Sequence, residues 1–120
     1  MFADNNVNSS WYPFDDGKSI GLRGPESGKI LSDIENINGA RITIEQDAEY
    51  SPFAVTIGVY GIMFHSHPCG SELKAREFAE ETRQRIENLF NHLSIPEDQQ
   101  DSEWAETFNK MTGYISEQLR

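Results

Sequence analysis

Residues 28–45 read GKILSDIENINGARITIE, and the way this stretch divides decides the fold. Its second part has a single reading: Ala40, Ile42 and Ile44 alternate with Arg41, Thr43 and Glu45, the period of a strand with one buried face. Its first part has two. Ile30, Leu31, Ile34 and Ile37 recur at helical spacing, with Ser27 placed as an N-cap and Gly39 as a stop, so the periodicity favours a short helix over residues 28–39. The competing reading is a hairpin at Asn38-Gly39, a strong two-residue turn signal. Pairing outward from such a turn sets Glu35 against Ile42 and Asp33 against Ile44. That register puts acids beside the apolar face and counts against the hairpin unless a bulge shifts it.

Downstream, Gln46 to Pro52 form a polar loop. Phe53 to Val59 is rich in β-branched and aromatic residues, and Ile62 to His67 continues that pattern, which predicts two strands joined tightly near Gly61. From Ser71 the period becomes helical. Ala75, Phe78, Ala79, Ile86, Leu89, Phe90 and Leu93 share one face, Ser71 is the N-cap, and Glu72 with Arg76 and Glu81 with Arg85 are spaced as surface pairs. Trp104, Phe108, Met111, Ile115 and Leu119 form a second stripe capped by Asp101 or Ser102. Upstream, Asp15-Asp16-Gly17 reads as a turn and Ser19 to Arg23 as a short extended piece ended by Gly24-Pro25. The expected architecture is α+β: an antiparallel sheet with two C-terminal helices packed on one face, a two-layer single domain over residues 1–120 with 1–10 a candidate disordered end.

Among the 120 residues, 20 acids oppose 10 lysines and arginines, giving a net charge of −10. That is the wrong sign for a chain that gains affinity by releasing counterions from phosphates, so nucleic acid and anionic membranes are not expected as partners. Nine acids and four bases fall in residues 1–71 and eleven and six in 72–120, so no lopsided acidic tail stands out. Cys69 is the single cysteine and cannot form an intramolecular disulfide. With no basic or apolar run at Met1-Phe2-Ala3-Asp4, a cytoplasmic location is expected.

Chemistry could reside in Phe64-His65-Ser66-His67-Pro68-Cys69. Two apart on a strand, His65 and His67 share a face and together could hold one metal ion, while a hydrolytic zinc site needs a third ligand and a base. The segment His65-Ser66-His67-Pro68 resembles the signature of the JAMM metalloproteases. That resemblance implies zinc on His65 and His67, an upstream glutamate as general base, for which Glu45 and Glu49 are the candidates, and an acidic third ligand. In place of the family's following serine and aspartate this chain has Cys69-Gly70-Ser71-Glu72, no aspartate before Asp98, and Glu77 nearest the expected ligand position. A broader resemblance, carried by Gly39-Ala40-Arg41-Ile42-Thr43-Ile44-Glu45 and Pro52 to Gly61, is to a family of short uncharacterised bacterial proteins, and implies a small bacterial domain without adding a catalytic residue.

Gly24-Pro25-Glu26-Ser27-Gly28-Lys29 is superficially like a phosphate-binding loop. It has three residues rather than four between its glycines and Ile30 after the lysine, so nucleotide binding is not expected. The leading expectation is a module without catalysis or cofactor that binds a protein partner or a second copy of itself, with Trp11, Tyr12, Phe14 and Trp104 as candidate interface anchors. The alternative is a zinc-dependent amide or isopeptide hydrolase built on His65, His67 and Glu77.

Overall fold

The computed structural model describes residues 10–93. Five strands pair in sequence order: β1 (Trp11–Pro13), β2 (Lys29–Asn36), β3 (Ala40–Gln46), β4 (Phe53–Val59) and β5 (Met63–Cys69) form one antiparallel meander. One long helix, α1 (Glu72–Leu93), follows β5 and packs across β3, β4 and β5. Among the described residues one helix, not two, covers the sheet. The second expected helix, with Trp104, lies outside them, as do residues 1–9.

The ambiguous stretch is a strand, not a helix. Residues 37–39 form a three-residue turn, closed by the Gly39 N–H donating to the Asn36 carbonyl at 2.9 Å, with the Asn36 Oδ1 accepting from the Asn38 N–H at 2.7 Å. Gly39 has φ +109°, a conformation that L side chains rarely adopt. The third turn residue moves the pairing by one from the two-residue register. Ile34 now opposes Ile42, and Asp33 opposes Thr43, so apolar residues share one face and polar residues the other. A bulge between Ile30 and Ser32 then returns Ile30 to the polar side, opposite Glu45. The helical spacing of Ile30, Ile34 and Ile37 was an accident of that bulge and of Ile37 lying exposed in the turn.

On the apolar face, Ala40, Ile42 and Ile44 of β3 and Val55, Ile57 and Val59 of β4 meet Ala75, Phe78, Ala79, Ile86 and Leu89 of α1. Trp11, Ile34 and Met63 border this core. The helix starts as its sequence predicts: the Ser71 Oγ accepts from the Lys74 N–H at 3.2 Å, and Arg76 reaches Glu72 at 2.8 Å. The β4–β5 turn passes through Gly61 at φ +81°, where a glycine has no steric cost. Residues 19–23, expected to be extended, form turns, and Arg23 alone bridges to Lys29. No helix among the described residues is long and apolar enough to cross a membrane.

Candidate functional site

The sheet has a second face, which no α-helix among the described residues covers. Register fixes its membership: Tyr12 and Glu35 oppose each other, Arg41 opposes both Glu35 and Gly58, Gly58 opposes Phe64, and Thr43, Thr56 and Ser66 form the next row. These residues meet around a pocket of about 160 Å3 lined by Pro25, Arg41, Thr43, Thr56, Gly58, Tyr60 and Phe64. Gly58 opens its floor. A Cβ at that position would lie 3.4 Å from the Phe64 ring and 4.0 Å from the Tyr60 ring, so the two aromatics flank a space that any other residue would begin to fill.

Arg41 is held from two sides. Its Nε donates to Asp33 Oδ1 at 2.9 Å and its Nη2 to Asp33 Oδ2 at 2.7 Å, a bidentate pair that reads the planar geometry of both groups. The guanidinium also lies 3.5 Å from the centroid of the Phe14 ring. Hydrogen bonding to Asp33 raises the Arg41 pKa further above its usual value. The Asp33 carboxylate is buried and receives a third bond from the Thr43 hydroxyl at 3.0 Å. Beside it, Glu35 accepts from the Tyr12 hydroxyl at 3.0 Å and the Tyr60 hydroxyl at 2.6 Å. Desolvation first, then the bond to Glu35, pushes the Tyr60 phenol up to about 12.

The glycine-rich loop that resembles a phosphate cradle is an anion cradle, and its anion is internal. The Gly28 N–H donates to Glu45 Oε1 at 2.9 Å, and the Glu26 N–H reaches both Glu45 oxygens at 3.1 Å. A Cβ on Gly24 would collide with the Glu45 carboxyl, and one on Gly28 would lie 2.6 Å from the Gln46 carbonyl oxygen. Burial raises the Glu45 pKa, against the two backbone donors that lower it. The loop thereby presses Pro25 and Glu26 onto the open face, where the Glu26 Oε2 accepts from the Ser66 hydroxyl at 2.9 Å. From sequence the loop was visible but its occupant was not, because the pairing of a glycine loop with a strand glutamate 17 residues away leaves no local pattern.

His65 and His67 share a face, as their spacing predicts, and it is the helix side rather than the solvent side: they oppose Ile57 and Val55. The His67 ring stacks on Phe78 of α1, centroids 4.1 Å apart and planes inclined by 19°. Glu45 lies on the opposite face of the sheet, Glu49 is exposed in the β3–β4 loop, and Glu77 is exposed on α1. Among the described residues no three His, Cys, Asp or Glu side chains are grouped so as to hold a metal ion. Cys69 is buried, and that burial raises its thiol pKa, away from the reactive thiolate. Of the anchor candidates, Trp11 packs against the core, whereas Tyr12 and Phe14 border the Arg41 pocket. Arg41, Asp33, Tyr60 and Phe64 carried no sequence motif. The signal available was the alternation that puts Arg41 on the polar face of its strand, as it puts Asp33 and Glu35 on one face of theirs.

No family model, curated protein or solved structure matches this chain.

Proposed function

We propose that this chain is a non-catalytic protein-binding module, cytoplasmic, whose contact surface is the face of the sheet opposite α1, around Arg41. One observation carries the reading: Phe64, 67% exposed, and Tyr60, 53% exposed, stand beside a guanidinium already fixed by Asp33 and Phe14. Exposed aromatics around an immobilised arginine are the composition of interface centres, because each loses little side-chain entropy when a partner covers it. Tyr12, bonded to Glu35, extends the patch along β1. The acids at its border, Glu26 and Glu35, favour a partner whose matching rim is basic.

Site-specific photo-crosslinking tests this. A photoreactive phenylalanine analogue at position 64 should yield a discrete protein adduct in the native cell. The same analogue at Leu73, exposed on α1, should not. The recovered partner should bind at least ten-fold more weakly to the Phe64→Ala protein. Absence of an adduct at position 64, or identical adducts from both positions, removes the reading.

A further inference from the structure

The hydroxyl groups of Thr43, Thr56 and Tyr60 around the Arg41 pocket have each given their proton away. Thr43 donates to the Asp33 carboxylate, and Tyr60 donates to the Glu35 carboxylate. Thr56 and Ser66 are 2.9 Å apart, and since the single Ser66 proton goes to the Glu26 carboxylate, Thr56 must be the donor between them. Each chain ends on an acid, which fixes its direction. What the three hydroxyls still offer a ligand is lone pairs. Arg41 supplies the complementary half: two of its five N–H donors are used on Asp33, and the other three have no hydrogen-bond partner among the described residues.

From this polarity we infer that the pocket takes a primary carboxamide, and, resting on the protein-binding reading, that the group is an Asn or Gln side chain of the partner. A carboxamide carries both halves of the match in one plane, a carbonyl for the guanidinium and an NH2 for the threonine oxygens. A carboxylate satisfies Arg41 but brings lone pairs against lone pairs, in a field where Asp33 already neutralises Arg41 and the Glu35 and Glu26 carboxylates accept from Tyr60 and Ser66 beside it. An ammonium satisfies the hydroxyls but faces the guanidinium. Leaving the buried Thr43 and Thr56 oxygens unmatched is what makes a hydrogen-bonding site of this kind reject an analogue. The size agrees: about 160 Å3 is several times the roughly 30 Å3 share of one water, room for the amide and a short stem between Pro25 and the Phe64 ring.

An isosteric series separates the possibilities. The full chain, 15N-labelled, is titrated with butyramide, sodium butyrate and butylammonium chloride. Butyramide should produce saturable shifts at Thr43, Thr56 and Gly58, with a Kd at least ten-fold lower than either charged analogue. Gly58→Val, which fills the floor at a position of ordinary φ, should abolish them while the rest of the spectrum is retained. The peptide N-acetyl-Gly-Gln-Gly-amide should bind at least ten-fold tighter than its Glu counterpart. Butyrate binding as tightly as butyramide, shifts that survive Gly58→Val, or no saturable shift at all overturns the carboxamide site. Butyramide binding without discrimination between the peptides overturns its assignment to a partner side chain. A partner crosslinked at position 64 without amide binding would leave the protein-binding reading standing and remove this one alone.

Discussion

Arg41 on β3 and Asp33 on β2, diagonal neighbours on one face of the sheet, form a two-bond pair in which the acid side chain is 0% and the base 31% exposed. That asymmetry predicts unequal costs. Removing Arg41 strands a buried carboxylate with only the Thr43 hydroxyl, whereas removing Asp33 leaves a cation that can turn to water. Arg41→Ala should therefore destabilise the fold by about 3 kcal/mol, more than Asp33→Asn, and the double Ala variant should cost less than the two single Ala changes together. Urea denaturation with an unchanged m-value is the measurement. Equal costs, fully additive, would mean the pair is not a unit.

Tyr60 offers a spectroscopic check on the same face. Its phenol is raised from the ordinary 10 to about 12, so the folded state holds the proton more tightly than the unfolded chain does. The stability that follows is fully present below pH 10 and is lost as pH rises toward 12. Absorbance titration at 295 nm should show Tyr60 ionising last, with Tyr12 also delayed by its bond to the same Glu35, and Tyr60→Phe should remove the latest step. In Glu35→Gln the pKa should fall only part of the way to 10, because burial is the larger cause.

The strands from Ala40 onward and α1 were legible because each obeys one period over its whole length, with caps and turns where the period changes. Residues 28–39 were not, because two local irregularities acted in opposite directions. The bulge at Ile30/Ser32 breaks the period of two, and the three-residue turn resets the facing of Asp33 and Glu35. The candidate site was less legible still. Its arginine, acids and hydroxyls come from five strands, a turn and a loop, and no spacing rule relates them. Two substitutions test the turn directly: Asn36→Ala removes the side-chain acceptor of the Asn38 N–H and should cost about 1 kcal/mol, and Gly39→Ala should cost about 1 kcal/mol or more through its positive φ alone. Thermal melts of both variants decide it.

The Glu45 cradle predicts a graded series. Glu45 Oε1 accepts from both Gly28 and Glu26, so a glutamine oxygen in that place satisfies both donors. Glu45→Gln should be tolerated within about 1 kcal/mol, while Glu45→Ala leaves two amides without acceptors and a cavity, costing about 3 kcal/mol or more. Because burial raises the pKa, the group's contribution is greatest below the ordinary carboxyl range and declines as pH rises through its folded value; Glu45→Gln should flatten that part of the pH–stability profile. Gly28→Ala meets backbone rather than a movable side chain and should be the least tolerated glycine change in the loop.

His67 distinguishes a packing role from a ligand role. Its ring is stacked on Phe78, and its Nδ1 is buried with no hydrogen-bond partner among the described residues, so the ring contributes through its faces while that nitrogen carries an uncompensated desolvation cost. His67→Phe keeps the stack and deletes the nitrogen; it should leave stability unchanged or slightly raised. His67→Ala removes the ring from beneath α1 and should cost about 2 kcal/mol. Neither variant should alter the response to zinc: one equivalent added to the wild-type protein should shift Tm by less than a degree. A zinc-dependent rise in Tm that His65→Ala and His67→Phe both abolish would establish the imidazoles as ligands and reopen the hydrolase reading.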